Sequence, residues 1–189
     1  MESKLFTPVT FGPLTLRNRT IRSAAFESMC PGNAPSDMLL DYHRSVAAGG
    51  IGMTTVAYAA VTQSGLSFDR QLWMRPEIIP GLRRLTDAIH AEGAAAGIQL
   101  GHCGNMSHKS ICGCMPVGAS SGFNLYSPTF VRGLRADELP EMARAYGRSV
   151  NLAREAGFDS VEIHAGHGYL ISQFLSPSTH HRKAEFGGS

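Results

Sequence analysis

Hydrophobic, β-branched runs alternate along the chain with longer segments in which apolar residues recur at helical spacing. The runs show little polar alternation, which is typical of parallel strands that are covered by helices. Strands are predicted over residues 20–25, 51–61, 95–102 and 160–164, and helices over residues 36–48, 76–92 and 137–156. The repeating strand–helix order therefore predicts an α/β fold built on a parallel sheet.

Polar residues and glycines mark the ends of the predicted helices. Ser36 can cap the first helix, and Gly49 with Gly50 can end it. Gly93 and Gly157 follow the second and third helices directly, where a helix commonly ends at glycine. These signals support the predicted boundaries.

The number of predicted strand–helix units indicates which α/β architecture the chain adopts. Residues 9–16 contain two short extended pieces around Gly12 and Pro13, which predict a hairpin able to plug the bottom of a barrel. Four strands and three helices are half of the eight βα units in a TIM (βα)8 barrel of about 250 residues. We expect residues 1–189 to form a single domain that supplies about the first four βα units plus the hairpin. A Gly-, Ser- and Pro-rich connection occupies residues 104–134, and residues 186–189 read as part of the loop after the fourth strand, with no following helix to finish that unit.

Composition narrows the class of protein. The chain has 189 residues, of which 43% are hydrophobic and 17% charged, enough to bury a core. A net charge of +2 without clusters of Lys and Arg argues against nucleic acid or a membrane surface as the partner. The first residues lack a basic, apolar signal pattern, and no apolar run reaches the about 20 residues of a membrane span. We expect a soluble, cytoplasmic protein with a small-molecule substrate.

Four cysteines are present, at Cys30, Cys103, Cys112 and Cys114. A chain of this size does not need disulfides for stability, so free thiols are expected. The Cys112-Gly-Cys114 pair lacks the two-residue spacer that typifies metal or redox pairs and is a weak signal.

The clearest candidate for chemistry follows the fourth predicted strand, where His164, His167 and Tyr169 lie in a Gly-rich turn. Active sites of parallel barrels lie at the carboxyl ends of the strands. Two histidines can hold a carbonyl or anionic oxygen by hydrogen bonds, and a tyrosine can deliver a proton. Each residue alone could equally be a packed core side chain, but the three together favour function.

In this motif and in other parts of the sequence, the chain resembles old yellow enzyme and its NADH:flavin oxidoreductase relatives. The similarity lies in residues 161–189, with His-Ala-Gly-His-Gly-Tyr-Leu and then Gln-Phe-Leu-Ser-Pro at 173–177, and in residues 5–19. It implies FMN as cofactor and NADH or NADPH as reductant. It also implies that His164 and His167 bind the carbonyl oxygen of the substrate above the flavin, and that Tyr169 protonates the carbon opposite the hydride.

The resemblance also implies a flavin contact for two further residues and one segment. Gln99 matches a glutamine whose amide bonds the pyrimidine edge of the flavin, and Tyr58 matches a usually small residue close to the flavin. The segment Ser23, Ala24, Ala25 and Phe26 matches backbone beside the flavin ring.

The sequence departs from the family pattern at several positions. Ala24 replaces a common Pro, and Phe26 replaces a Thr or Cys, so Phe26 cannot supply the hydrogen bond that tunes the flavin potential in relatives. In the tail, the common Asn, Asp and Tyr are replaced by His180, Ala184 and Phe186. These departures indicate a divergent member.

A metal site is the main rival hypothesis, because histidines and thiols are abundant; they are His102, His164, His167, His180, His181, Cys103, Cys112 and Cys114. Their spacing selects no ligand set, and the HxxH pair lacks the Glu of a zinc hydrolase. The Gly49–Gly52 run precedes a strand, whereas a dinucleotide-binding loop follows one. A dienoyl-CoA reductase-like role also fits the barrel, although the His pair favours a simple ene-reductase.

The resemblance thus implies reduction of the C=C bond of an α,β-unsaturated carbonyl compound such as an enone. Barrels of this kind hold the phosphate group of the cofactor with loops after strands seven and eight, which four βα units do not provide. An open four-stranded sheet also has two unpaired edges, which favour self-association. The alternative is therefore a catalytically incompetent half-barrel, or one that works only with a complementing chain.

Overall fold

A computed structural model describes residues 3–183 and 185–187, so Ala184 and the final Gly188 and Ser189 of the family-like tail lie outside the described residues. The strands, in chain order, are β1 Val9–Phe11, β2 Leu14–Leu16, β3 Ile21–Arg22, β4 Met53–Ala60, β5 Ala95–Gly101, β6 Val117–Gly118, β7 Gly122–Asn124, β8 Thr129–Gly133 and β9 Ser160–Ile163. The α-helices are α1 Asp37–Ala48, α2 Ile79–Ala91, α3 Lys109–Cys112, α4 Leu139–Glu155 and α5 Leu170–Leu175.

The central sheet is parallel and has the strand order β3-β4-β5-β9. The helices α1, α2 and α4 connect its strands in the predicted order, as in consecutive βα units of a barrel. Ahead of it, β1 pairs with β2 as the predicted antiparallel hairpin, with Gly12 in the left-handed region at φ 54°. The parallel α/β prediction and the four-unit count are therefore confirmed.

Local chemistry places the helix ends close to the predicted positions. The Ser36 hydroxyl oxygen accepts a hydrogen bond from the Leu39 N–H at 3.1 Å, which caps α1. Gly50, Gly93 and Gly157 have φ values of 93°, 75° and 91°, a conformation that glycine adopts without strain. Single 3-10 turns at Pro76–Ile78 and Ala136–Glu138 start the second and third predicted helices.

The two faces of the central sheet differ in chemistry. Ala96, Ile98 and Leu100 of β5 are fully buried and pack in the main apolar core with helix residues such as Leu82. The intervening Gly97 faces the other way, where an added Cβ would lie 2.9 Å from the Ser160 hydroxyl oxygen and 3.1 Å from that of Thr55. Glycine at this position lets the three strands approach closely.

Two predictions about the elements were wrong in detail. The first parallel strand, expected over residues 20–25, contains only Ile21 and Arg22, and residues 23–30 leave the sheet. The connection at 104–134 is not merely a loop, because it contains α3 and a three-stranded sheet of order β6-β8-β7. Strands of two to five residues are too short for hydrophobic alternation to reveal them.

The end of the sheet at β9 is followed by the six-residue helix α5. Within the described ranges β3 pairs only with β4, and β9 only with β5, so each leaves one edge unpaired. None of the helices in the described part of the chain is long and apolar enough to cross a membrane.

Candidate active site

A pocket of about 150 Å³ lies at the carboxyl ends of β3, β4, β5 and β9, the edge where a parallel barrel places its chemistry. Its lining residues are Ala24, Ala25, Phe26, Ala57, Tyr58, Phe68, Gln99, His164, His167 and Tyr169. Every residue that was predicted to bind substrate or flavin lines this pocket except Ser23, which is exposed directly before Ala24. The structure thus brings the predicted residues together, and their roles remain predictions.

The two histidines of the motif contact each other directly. His167 Nδ1 lies 3.1 Å from His164 Nε2, a hydrogen bond in which one ring donates and the other accepts. His167 has φ +57° and Gly168 φ +68°, so two consecutive left-handed residues turn the chain back over His164. Burial, and then the neighbouring His167, lower the pKa of His164, which keeps this ring neutral at pH 7.

Tyr169 packs beside this pair, at the start of α5. Its ring centroid is 5.0 Å from that of His164, in an edge-on arrangement. Burial is the main cause that raises the pKa of Tyr169, so the phenol keeps its proton at neutral pH. Tyr169 can therefore act as a proton donor close to whatever the histidines hold.

Tyr58 forms the wall opposite Tyr169, with ring centroids 5.4 Å apart. The pairing of β4 with β5 is irregular between Val56 and Ala59, and Tyr58 lies within this stretch. The Tyr58 hydroxyl donates to the Gly65 carbonyl oxygen at 2.8 Å and lies 3.0 Å from the Ser67 hydroxyl. Burial strongly raises the pKa of Tyr58, so the phenol keeps its proton. Its hydrogen bonds hold the ring in place as a wall of the pocket.

Gln99 reaches the pocket from β5, in register with Glu162 of β9. One N–H of its amide donates to a Glu162 carboxylate oxygen. An amide also offers a second N–H and a carbonyl oxygen, the donor–acceptor combination that the flavin pyrimidine edge requires. Glu162 thus orients the side chain predicted to contact the cofactor.

Sequence reasoning missed the group that holds the 23–26 segment in place. Both carboxylate oxygens of Glu27 accept from the Ala57 N–H at 3.2 Å, and Arg22 Nη1 lies 3.0 Å from Glu27 Oε1. His43 Nε2 lies 3.3 Å from the same oxygen, and its Nδ1 bonds the Thr54 hydroxyl at 2.8 Å. The Glu27 carboxylate therefore accepts the hydrogen bond from a backbone N–H of β4. If β3 were longer, its own backbone would accept this hydrogen bond. Opposite charges at Arg22 and Glu27, flanking the segment, are the only signal the sequence offers.

A second missed residue is Gln173, which ties the motif turn to the loop after β5. Its amide N–H groups donate to the Gly168 carbonyl oxygen at 2.7 Å and to Asn105 Oδ1 at 3.0 Å. Its carbonyl oxygen accepts from the Asn105 N–H at 3.3 Å. In the sequence, residues 173–177 stand out only as part of the family-like pattern, whereas these contacts of Gln173 in α5 give the residue a structural role.

Phe26 lies at the rim of the pocket and stacks on Phe68, with ring centroids 4.8 Å apart. This aromatic pair replaces the polar group that the family pattern has at this position. In the described ranges, no group of three or more His, Cys, Asp and Glu side chains is arranged to hold a metal ion.

Comparison with known proteins places this site in context. A family model described as the NADH:flavin oxidoreductase / NADH oxidase family matches residues 4–189. A 4,4'-dithiodibutanoate disulfide reductase from Rhodococcus erythropolis is 42% identical over 185 residues, 98% of this chain and 46% of that protein. An NADPH dehydrogenase from Bacillus subtilis is 36% identical over 194 residues, 100% of this chain and 56% of that protein.

Solved structures agree with these matches. The old yellow enzyme homologue from Zymomonas mobilis superposes with a TM-score of 0.91 at 28% identity, over 99% of this chain and 55% of that one. Morphinone reductase in complex with tetrahydroNAD gives 0.90 at 27% identity, over 100% of this chain and 56% of that one. The chain thus spans about half the length of these relatives.

Proposed function

This chain belongs to the NADH:flavin oxidoreductase / NADH oxidase family, and from that premise we propose that it carries the substrate-activating side of an FMN-dependent ene-reductase. The substrate class is α,β-unsaturated carbonyl compounds, whose C=C bond is reduced with NADH or NADPH. The prediction of FMN and NAD(P)H is confirmed at the level of the family. The names of the relatives refer to different electron acceptors, so we infer the acceptor of this chain from the residues of its own candidate site.

The observation that carries the proposal is the contact between His164 and His167 beside Tyr169. The histidine pair offers N–H donors to a carbonyl oxygen, and these hydrogen bonds strengthen as negative charge develops there. Tyr169 holds a proton on its hydroxyl oxygen and delivers it to the α-carbon. The hydride for the β-carbon is the chemistry that FMN would supply when bound beside these residues.

The residues of the pocket fit a flavin. The small side chains of Ala24, Ala25 and Ala57 leave room for a flat ring, and Gln99 offers the matching amide. The phenyl pair of Phe26 and Phe68 supplies an apolar edge. Phe26 has no group that donates a hydrogen bond, so we expect a flavin reduction potential different from that of relatives with Thr or Cys there.

Reconstitution with FMN tests the proposal. The protein is incubated with FMN, freed of excess flavin, bleached with NADPH or NADH without oxygen, and then mixed with 2-cyclohexen-1-one. We expect a yellow protein whose colour returns with the enone, with formation of the saturated ketone. Colour that returns with oxygen but not with any enone would overturn the ene-reductase assignment.

A second proposal concerns the open sheet: the half-barrel binds FMN only when complementing strands cover it. The described part of β9 has a free edge, and beside it lies an apolar groove of about 740 Å³ lined by residues such as Tyr146, Ile163 and Phe174. The Ile163 side chain is 45% exposed there. Solution mass measured with and without FMN tests this, because a monomer of 189 residues that binds FMN stoichiometrically would contradict it.

A further inference from the structure

Two thiols face each other at the turn that ends α3. Cys112 is the last residue of this helix and is buried, whereas Cys114 is exposed. Their sulfur atoms are 3.7 Å apart, and the Cys112 thiol also donates to the Cys114 carbonyl oxygen at 3.2 Å. Gly113 between them has φ 71°, a left-handed conformation that folds the chain so that both side chains point the same way. The spacing regarded as a weak signal in the sequence thus brings the sulfurs together.

This pair differs from the other two cysteines of the chain. Cys30 and Cys103 are buried, and the Cys103 thiol donates to the Leu66 carbonyl oxygen at 3.3 Å. Burial raises the pKa of each to about 12 and also denies a disulfide reagent access to both sulfur atoms. Cys114 alone combines exposure with a second thiol within reach. A disulfide needs about 2.05 Å between the sulfurs, so a side-chain movement of under about 2 Å would close the bond.

The surroundings of Cys114 are open to a small molecule. A groove of about 530 Å³ runs past it, with Met115, Val117 and Leu134 as apolar lining. Its cations Arg132 and Arg148 are paired with Glu138 and Glu141, which also line it, so the groove has no excess of positive charge. The groove has room for a small organic disulfide beside Cys114. Burial, and then the neighbouring Cys112, raise the pKa of Cys114 to about 11, with Arg132 acting in the opposite direction.

Behind the pair lies the wall of the candidate active site. Cys112 packs in a small apolar cluster with Tyr58, Ala60 and Leu66, against which the partly buried Trp73 and Tyr169 also pack. Tyr58 and Tyr169 line the pocket itself. A change of bonding at Cys112 would therefore occur in the same packed cluster as side chains that shape the pocket.

We propose that Cys112 and Cys114 are a redox-active dithiol that exchanges with small organic disulfides. The Cys114 thiolate attacks one sulfur of the disulfide, whose S–S bond breaks and releases one thiolate. Cys112 loses its proton and attacks Cys114 Sγ, which releases the second thiolate and forms the Cys112–Cys114 disulfide. The two cysteines lose two electrons, the organic disulfide gains them, and the two protons pass to the released thiols.

The test uses 5,5'-dithiobis(2-nitrobenzoate) with the unmodified protein at mildly alkaline pH, without flavin. We expect release of two equivalents of thionitrobenzoate per chain that is rapid compared with the reaction of the buried thiols and becomes faster as the pH rises, because the thiolate is the attacking form. The protein mass should fall by two hydrogens, with no aryl group retained. Cys114→Ser removes the exposed thiol and should abolish the rapid release. Cys30→Ser is the matched control, and it should behave like the unmodified protein.

Release of one equivalent with a retained aryl group would show that Cys114 is an isolated surface thiol and overturn the proposal. Absence of rapid release from the unmodified protein would overturn it as well. Trp73 is the only tryptophan of the chain and gives a second readout. Its fluorescence should change on oxidation and recover with dithiothreitol, and a Cys114→Ser protein should show neither change.

Discussion

At the scale of single residues, His102 combines complete burial with two polar contacts. Its Nδ1 accepts from the Gly104 N–H at 3.0 Å, and its Nε2 lies 3.0 Å from the Ser64 hydroxyl. Burial lowers its pKa to about 4. This histidine lies just beyond β5, so it couples the stability of the active-site end of the sheet to pH.

The direction of this coupling follows from the pKa values. An unfolded histidine has a pKa of about 6.5, so the unfolded chain takes up the proton first as the pH falls. The free energy of unfolding should therefore be highest above about pH 6.5, and about 3 kcal/mol of it should be lost as the pH falls from about 6.5 to about 4. Urea titrations at several pH values measure this. His102→Gln should flatten the profile, while the exposed His181→Gln should not; a His102→Gln profile as steep as that of the unmodified protein would refute the assignment.

Glu27 is the second residue whose role can be measured separately. Glu27→Ala removes the acceptor of the Ala57 N–H and leaves Arg22 without its carboxylate, so we expect a loss of roughly 3 kcal/mol in unfolding free energy. Glu27→Gln keeps an acceptor and should lose less. FMN affinity should fall in the same order, because the 23–26 segment loses its attachment.

The exposed Glu77, which lies 4.0 Å from Arg75, provides the control. Glu77→Ala should change stability by less than about 1 kcal/mol. Equal effects of Glu27→Ala and Glu77→Ala would rule out the positioning role of Glu27.

At the scale of elements, Gly101 at the end of β5 determines how the pocket walls fit together. An added Cβ would lie 2.8 Å from the Tyr58 ring and 3.3 Å from the His164 Cβ. Gly101→Ala should therefore push these rings apart, cost about 1–3 kcal/mol in stability and weaken FMN binding.

Gly147 in α4 is the matched control, since an added Cβ would meet nothing within 4 Å. Gly147→Ala should stabilise the helix by about 0.5–1 kcal/mol and leave FMN binding unchanged. Isothermal titration with FMN and thermal unfolding measure both effects. Tighter FMN binding by Gly101→Ala would contradict the described packing of Tyr58 and His164.

The elements also show which parts of the fold a sequence reveals. The helices α1, α2 and α4 and the strands β4, β5 and β9 were predicted because each buries a periodic or continuous apolar surface. The sheet of β6, β7 and β8 was missed, because its strands have two to five residues and several exposed positions. The motif at 164–169 was found because its histidines and tyrosine are close in sequence. Glu27 was missed, because its partner is a backbone N–H 30 positions away.

At the scale of the whole molecule, the described sheet is one side of a barrel. Eight of the nine residues that were predicted to bind substrate or flavin line one pocket, although they come from four separate segments. The single domain over residues 1–189 remains a prediction. We propose that function depends on how this pocket meets a surface that covers β9 in an assembled, FMN-loaded protein.

In that assembly, the two halves of the catalytic cycle can be followed separately under anaerobic conditions. Tyr169→Phe should leave the rate of flavin reduction by NADPH nearly unchanged and slow reoxidation by 2-cyclohexen-1-one by about 100-fold, because only the second half needs the tyrosine proton. The exposed Tyr126→Phe should slow neither. Equal slowing of both halves by Tyr169→Phe, or no slowing of reoxidation, would contradict the assignment of His164, His167 and Tyr169 as the substrate-activating corner.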